Sequence, residues 1–179
     1  MPNDIAFLRG INVGKRHMKM ADLKTCMEAA GFEAVKTILA SGNVRFARRD
    51  TPEKTKVLLE SVIEKQFGFP VGVVLRGEEE IAAMLEQHPF KTLDPEADVA
   101  RHVLLFDRTL PDGLELEGRP GEVDVMRIDP TEIYIAAYRQ PNGRYTESMD
   151  EVLKPLRAKL GKTVLDTARN WNTMEKVLK

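Results

Sequence analysis

The 179-residue chain has 42% hydrophobic and 31% charged residues and a net charge of −1, the composition of a globular protein. No stretch approaches the roughly 20 apolar residues of a membrane span, so no membrane partner is expected. The single cysteine, Cys26, leaves no partner for a disulfide within the chain, and residues 1–4 enter an apolar run without the basic end of a secretory signal, so the expected setting is a reducing cytoplasm.

The small net charge conceals an asymmetry. Residues 1–76 hold 13 Lys/Arg against 8 Asp/Glu, or +5, and residues 77–179 hold 14 against 20, or −6. Two readings stand side by side: the halves attract each other, or the basic half meets an anion.

In chain order, residues 4–13 read as a buried strand and residues 20–30 as a helix with apolar residues at Met20, Leu23, Met27 and Ala30 and a stop at Gly31. Residues 34–40 and 44–47 read as strands around the turn signal Ser41-Gly42-Asn43. A helix is expected from Pro52, capped by Thr51, to about residue 66, followed by a strand at 70–75. Residues 77–87 form a connecting helix and 88–98 a loop. A strand at 101–107 leads to a Pro- and Gly-rich crossover at 109–121, with a short helix or none. Strands at 122–128 and 132–138 form a hairpin. A helix at 147–160, a strand at 162–167 and a short helix at 172–178 complete the chain.

This is one order of elements written twice. The expected fold class is α+β: two tandem ferredoxin-like (βαββαβ) plaits, each with a four-stranded antiparallel sheet in the order 4-1-3-2. The expected division is a basic subdomain at 1–76, a connector at 77–99 and an acidic subdomain with the final helix at 100–179. One continuous α+β domain with a shared core is the alternative.

In a plait, the loop after the first strand and the hairpin between the second and third lie at the same end of the sheet. Here those are residues 9–19 and 41–43. Arg9, Lys15, Arg16 and Lys19 supply positive charge, Asn12, Ser41 and Asn43 neutral hydrogen bonds, and the helix from Met20 a positive dipole end. The set suits a phosphate or carboxylate; well-turned connections with solvated lysines are the plainer reading. It is no Walker A loop: three residues, not four, separate Gly10 from Gly14, and Arg16 replaces the magnesium-binding hydroxyl.

The stretch Thr167–Thr173 holds the only tryptophan. Asn172, with Glu175 three residues on, suits a helix cap. In a ligand-binding reading, Arg169 and Asn170 face a cleft between the subdomains, with Arg9 and Asn12 opposite and Trp171 beside them as a wall.

The blocks Arg9-Gly10-Ile11-Asn12-Val13-Gly14, Lys19-Met20-Ala21-Asp22-Leu23, Ser41-Gly42-Asn43-Val44 and Arg169-Asn170-Trp171-Asn172-Thr173 resemble those of the mainly bacterial domain-of-unknown-function family 1697. The resemblance spans almost the whole chain. It implies two ferredoxin-like subdomains and no activity. At Gly14-Lys15-Arg16 this chain departs from it, lacking a second glycine after Gly14, which makes the loop stiffer and more basic.

Other chemistry finds less support. His17, His88 and His102 are scattered without zinc-ligand spacing, so neither a metal nor any other cofactor is expected. Cys26 lies beside Met27 on an apolar helix side, as an inert thiol would. Glu78, Glu79 and Glu80 read as a solvated first turn of a helix, and Asp22 as a base near the loop or a lysine's partner. RNA readers of this fold stack bases on aromatics of the central strands, where this chain offers only Phe7 and Phe46. Backbone contacts through Arg45, Arg48, Arg49 and Lys54 remain a salt-sensitive rival. The functional expectation is a small anionic ligand at Arg9, Asn12, Lys15, Lys19, Ser41 and Asn43, with Arg169 and Asn170. A nucleic-acid module and a protein-interaction role are the alternatives, and whether a reaction is catalysed is left open.

Overall fold

A computed structural model describes residues 2–145, 149–161 and 165–179. The expected start of the helix at 147 and the first residues of the strand expected at 162–167 lie outside the described residues.

The first six elements are β1 (Asn3–Leu8), α1 (Met20–Ala29), β2 (Lys36–Ile38), β3 (Asn43–Ala47), α2 (Pro52–Phe67) and β4 (Val73–Gly77). Their strands form an antiparallel sheet in the order β2-β3-β1-β4, the expected order read from the other edge. Both faces of β1 are buried, which is why it reads as a continuous apolar run instead of an alternation. One face, with Ala6, Leu8, Val44 and Phe46, packs with Leu23 and Met27 of α1 and Leu59 and Ile63 of α2. Phe32 meets the Phe46 ring edge-on at 5.1 Å. The start of α2 follows the local code: Thr51 Oγ1 accepts from the Lys54 N–H at 3.3 Å, with Pro52 in the first turn.

Several strand ends differ from expectation. β1 stops at Leu8 instead of residue 13, because Gly10 and Asn12 take φ values of 69° and 53°, which no strand can hold. The strand expected at 34–40 contracts to three residues, flanked by Ala34 at φ 53° and Leu39 at φ 62°. β4 is an edge strand whose Val73 backbone is covered by side chains. Lys56 Nζ donates to its carbonyl at 3.0 Å, and Glu60 Oε1 accepts from its N–H at 3.0 Å while paired with Lys56. That blunts an edge which could otherwise pair with another chain.

The chain continues through α3 (Glu78–Gln87), β5 (Val99–Phe106), β6 (Val123–Ile128), β7 (Glu132–Tyr138), α4 (Met149–Leu160), β8 (Asp166–Asn170) and α5 (Trp171–Lys176). The second sheet runs β6-β7-β5-β8, again antiparallel, with a register shift between Val125 and Arg127. No helix forms between β5 and β6, where Pro and Gly interrupt the chain. Leu104, Phe106, Ile133 and Ile135 of this sheet share a core with Val152, Leu153 and Leu156 of α4.

The chain divides into two compact units, residues 1–83 with 173–179, and residues 84–172. The final residues thus belong to the first unit, whereas the sequence reading keeps them with the second. Lys36 Nζ donates to the Lys179 carbonyl at 2.7 Å. The fold is mixed α and β, with two four-stranded antiparallel sheets and five helices among the described residues. No described helix is long and apolar enough to cross a membrane.

The repeat includes the helix after each fourth strand, where the sequence reading places helices at 77–87 and 172–178. β4 and β8 each end one residue after a buried arginine, Arg76 or Arg169, and lead directly into a helix. Each arginine donates Nη1 to the carbonyl of the residue before it, Leu75 or Ala168, at 2.8 Å.

Candidate functional site

The first unit brings the 9–19 loop and the 39–43 turn together at one end of its sheet. The Leu8 N–H donates to the Gly42 carbonyl at 2.9 Å. A Cβ on Gly42 would lie 2.5 Å from Ile11 Cδ1, so only glycine, at φ 89°, admits the loop this close. Asn12 ties the two segments. Its Nδ2 donates to the Met18 carbonyl at 3.1 Å and the Ala40 carbonyl at 2.8 Å, and its Oδ1 accepts from the Met18 N–H at 2.7 Å. Asn43 is fully buried, and its Nδ2 donates to the Ile38 carbonyl at 2.8 Å and to Ser41 Oγ at 2.9 Å. Both carboxamides hold the frame, where the residue types alone suggest ligand contacts.

Charge at this pole comes from Arg9, Lys15, Arg16 and Lys19, all exposed. Arg16 lies 5.2 Å over the Phe69 ring and donates to the Pro70 carbonyl at 3.4 Å. Lys19 precedes α1 and offers no side-chain cap; its carbonyl accepts from the Leu23 N–H at 3.0 Å. Among the described residues neither Lys15 nor Lys19 has an ion-pair partner. Exposed Val13 and Leu39 sit in the same loop and turn, and Leu39 carries a left-handed backbone that bulky side chains avoid.

In the other basic cluster, offered above for nucleic-acid backbone contacts, Arg48 and Arg49 have partners within the fold. Arg48 Nε donates to Asp4 Oδ1 at 2.7 Å, and its Nη2 to both Glu79 oxygens at 2.8 and 2.9 Å. Arg49 donates to the Ala30 carbonyl at 2.9 Å and lies 4.9 Å over the Phe32 ring. Each acid of the expected solvated turn is likewise used: Glu78 accepts from Asn3 Nδ2 at 3.0 Å, Glu79 holds Arg48, and Glu80 accepts from the Gly77 N–H at 2.6 Å. Hydrogen bonds from Asn3 hold Glu78 below the usual carboxylate range, and bonds from its own backbone N–H and Arg48 do so for Glu79. Burial pushes the Cys26 thiol up, and its Sγ donates to the Val62 carbonyl at 3.6 Å.

In the second unit, Arg169 and Asn170 are the last residues of β8, not a loop after it, and the helix begins at Trp171. Asn172 is therefore inside α5, not its cap. Arg169 donates Nη1 to Thr167 Oγ1 at 2.7 Å as well as to the Ala168 carbonyl, and burial lowers its guanidinium to about 10. The Trp171 ring is 4% exposed and packs edge-on against Phe90 at 5.4 Å and Tyr134 at 6.2 Å, so it is a core ring instead of a stacking wall.

Asn170 lines a different cleft, within the second unit, of about 220 Å³, with Val99, Ala100, Arg101, Tyr145, Trp171 and Asn172. Arg101 and Tyr145 carry no motif that would single them out in the sequence. Tyr145 is fixed by a triad: its hydroxyl donates to Asp98 Oδ1 at 2.7 Å and accepts from Arg139 Nη2 at 3.2 Å, while Arg139 Nε donates to Asp98 Oδ2 at 2.5 Å. Bonds from Tyr145 and then Arg139 hold Asp98 below the usual carboxylate range.

Among solved structures, the chain is similar to a conserved bacterial protein from Streptococcus pneumoniae, 21% identical over 98% of this chain and 96% of that one, with a TM-score of 0.68. At that identity the likeness concerns the fold alone. No curated protein matches. A family described as "Protein of unknown function (DUF1697)" matches residues 1–134, which hold the 9–19 loop and the 39–43 turn, and the chain belongs to that family.

Proposed function

We propose that this is a cytoplasmic protein of two tandem ferredoxin-like plaits, the second without its first helix, that binds a small phosphate- or carboxylate-bearing anion at the 9–19 loop and the 39–43 turn. The observation that carries the reading is the pinned loop. Asn12 bonds both Met18 and Ala40, so the cations around it sit on a frame that is already ordered. A preordered frame spares the entropy that a free loop would lose on binding. Arg9, Lys15 and Lys19 supply the charge, and exposed Ser41 borders them on the turn. Asn12 and Asn43 serve as positioning residues. The nucleic-acid alternative loses one of its cations, since the charge of Arg48 is met by Asp4 and Glu79, while Arg49 bonds only the neutral Ala30 carbonyl and stays exposed.

Calorimetric titration with inorganic phosphate tests the reading. Saturable heat is expected, weakened at least tenfold in a Lys15→Ala/Lys19→Ala variant whose urea midpoint is unchanged. Absence of saturable heat overturns it. So does tight, steeply salt-dependent binding of a single-stranded oligonucleotide that Arg49→Ala abolishes.

A further inference from the structure

We propose that the cleft at the start of β5 binds a carboxylate with an adjacent amide, the chemistry at the C-terminus of an extended peptide. The first observation is the register of the second sheet. β7 pairs with β5 from Val99 onward, opposite Tyr138, but β8 reaches only as far as His102, opposite Asn170. Residues 99–101 therefore have a strand on one side and the cleft on the other. Backbone groups of a strand between two neighbours point alternately to each side. The Val99 N–H donates to the Ala97 carbonyl at 2.9 Å, and the remaining cleft-side main-chain groups of this stretch are presented to whatever fills the cleft, as in recognition by strand addition. Three residues match the last residue or two of a peptide, not a long added strand.

The second observation is the polar lining. Arg101 lines the cleft, and its Nη2 donates to the Asp94 carbonyl at 3.0 Å. A guanidinium has five N–H donors, so this bond orients the group and leaves others for a carboxylate. Among the described residues no carboxylate lines the cleft, and nearby Asp98 is paired with Arg139, so they offer a cationic ligand no free counter-charge. Exposed Asn170 and Asn172 add carboxamides that have no hydrogen-bond partner among the described residues and can both donate to and accept from a peptide unit. The volume equals roughly seven waters at about 30 Å³ each, enough for a terminal residue and its peptide bond. A free small carboxylate shares part of this chemistry.

The readout is built in, since Trp171 is the only tryptophan and borders the cleft. The full chain is titrated with N-acetyl-alanyl-alanine, with its C-terminal amide and with sodium acetate, following tryptophan emission and, in parallel, heat. The free-acid dipeptide is expected to bind saturably, with the amide and acetate at least tenfold weaker. Arg101→Ala, at a half-buried position, is expected to weaken the dipeptide at least tenfold with an unchanged unfolding midpoint. Lys15→Ala/Lys19→Ala is expected to leave it unaltered, which separates this cleft from the first-unit pole. No saturable signal by either method, equal affinity for the amide, or full binding by Arg101→Ala overturns the proposal. Acetate binding as tightly as the dipeptide overturns the peptide assignment.

Discussion

Arg48 donates through Nε to the buried carboxylate of Asp4 at 2.7 Å, while its Nη2 grips Glu79. One side chain thereby joins β1, the segment after β3 and the first turn of α3. Part of the positive surplus of the first 76 residues is thus consumed inside the fold. The local counter-ions are Asp4 on the first strand and Glu79 just past the arithmetic boundary between the two halves.

Arg48→Ala is expected to destabilise the protein by about 2 kcal/mol, between the cost of breaking a buried pair and that of losing an exposed one. Asp4 is left buried without its partner, whereas Glu79 can turn to water. Urea denaturation measures the change. Arg45→Ala serves as the comparison, since Arg45 makes no ion pair among the described residues and acts on Glu78 only through space.

Acid should loosen the same corner. Glu78 and Glu79 are both lowered in the folded state, so they contribute stability that is present above their unfolded value, about 4.3, and lost as the pH falls through their folded values. Unfolding free energy should therefore fall between about pH 5 and pH 3. In Arg48→Ala the slope should be shallower, because Glu79 loses one cause of its shift. An unchanged slope in that variant would mean that the pair contributes nothing to the pH dependence.

Gly42→Ala should be costly and Gly14→Ala mild. Both residues have positive φ, but a Cβ on Gly42 meets Ile11 Cδ1 at 2.5 Å and Leu8 Cβ at 3.1 Å, whereas a Cβ on Gly14 meets nothing within 4 Å. Left-handed strain alone costs roughly 1–2 kcal/mol, and overpacking adds roughly 1–3 kcal/mol. Thermal or urea unfolding of the two variants should differ by about 2 kcal/mol in that order.

Asn12→Asp and Asn12→Ala should separate the two ends of its amide. Asp keeps an acceptor for the Met18 N–H and loses the donors to Met18 and Ala40; Ala loses all three bonds. Hydrogen exchange at the Met18 amide should accelerate strongly in Asn12→Ala and little in Asn12→Asp. Phosphate binding at the pole should weaken in both, because the tie to Ala40 is gone. Equal protection of Met18 in all three proteins would remove Asn12 from the frame.

Much of the fold is legible along the chain because its signals are local. Thr51 and Pro52 announce α2 within a few residues, and the β7 residues 132–138 stand out as a β-rich run after the turn at Asp129 and Pro130. The Pro and Gly residues between β5 and β6 mark a crossover that forms no helix. The candidate pole was legible for a similar reason: strand order dictates that the 9–19 loop and the 41–43 hairpin share an end. What the residue types mislead about is who contacts whom. Asn12 looks like a ligand donor until its partner 28 residues away is seen, and Arg48 looks solvated until Asp4, 44 residues away, is placed beside it.

From sequence alone follow most of the element order, the sheet orders and the apolar residues of α1 that bury, because periodicity, caps and turn residues act over a few positions. Tertiary structure alone decides that β8 runs through Arg169 and Asn170, that Trp171 packs among aromatics, and that Arg101, Tyr145 and Asn170 share a cleft. These depend on register between β5 and β8, and register is set by the summed fit of two distant segments, which no single stretch of chain encodes.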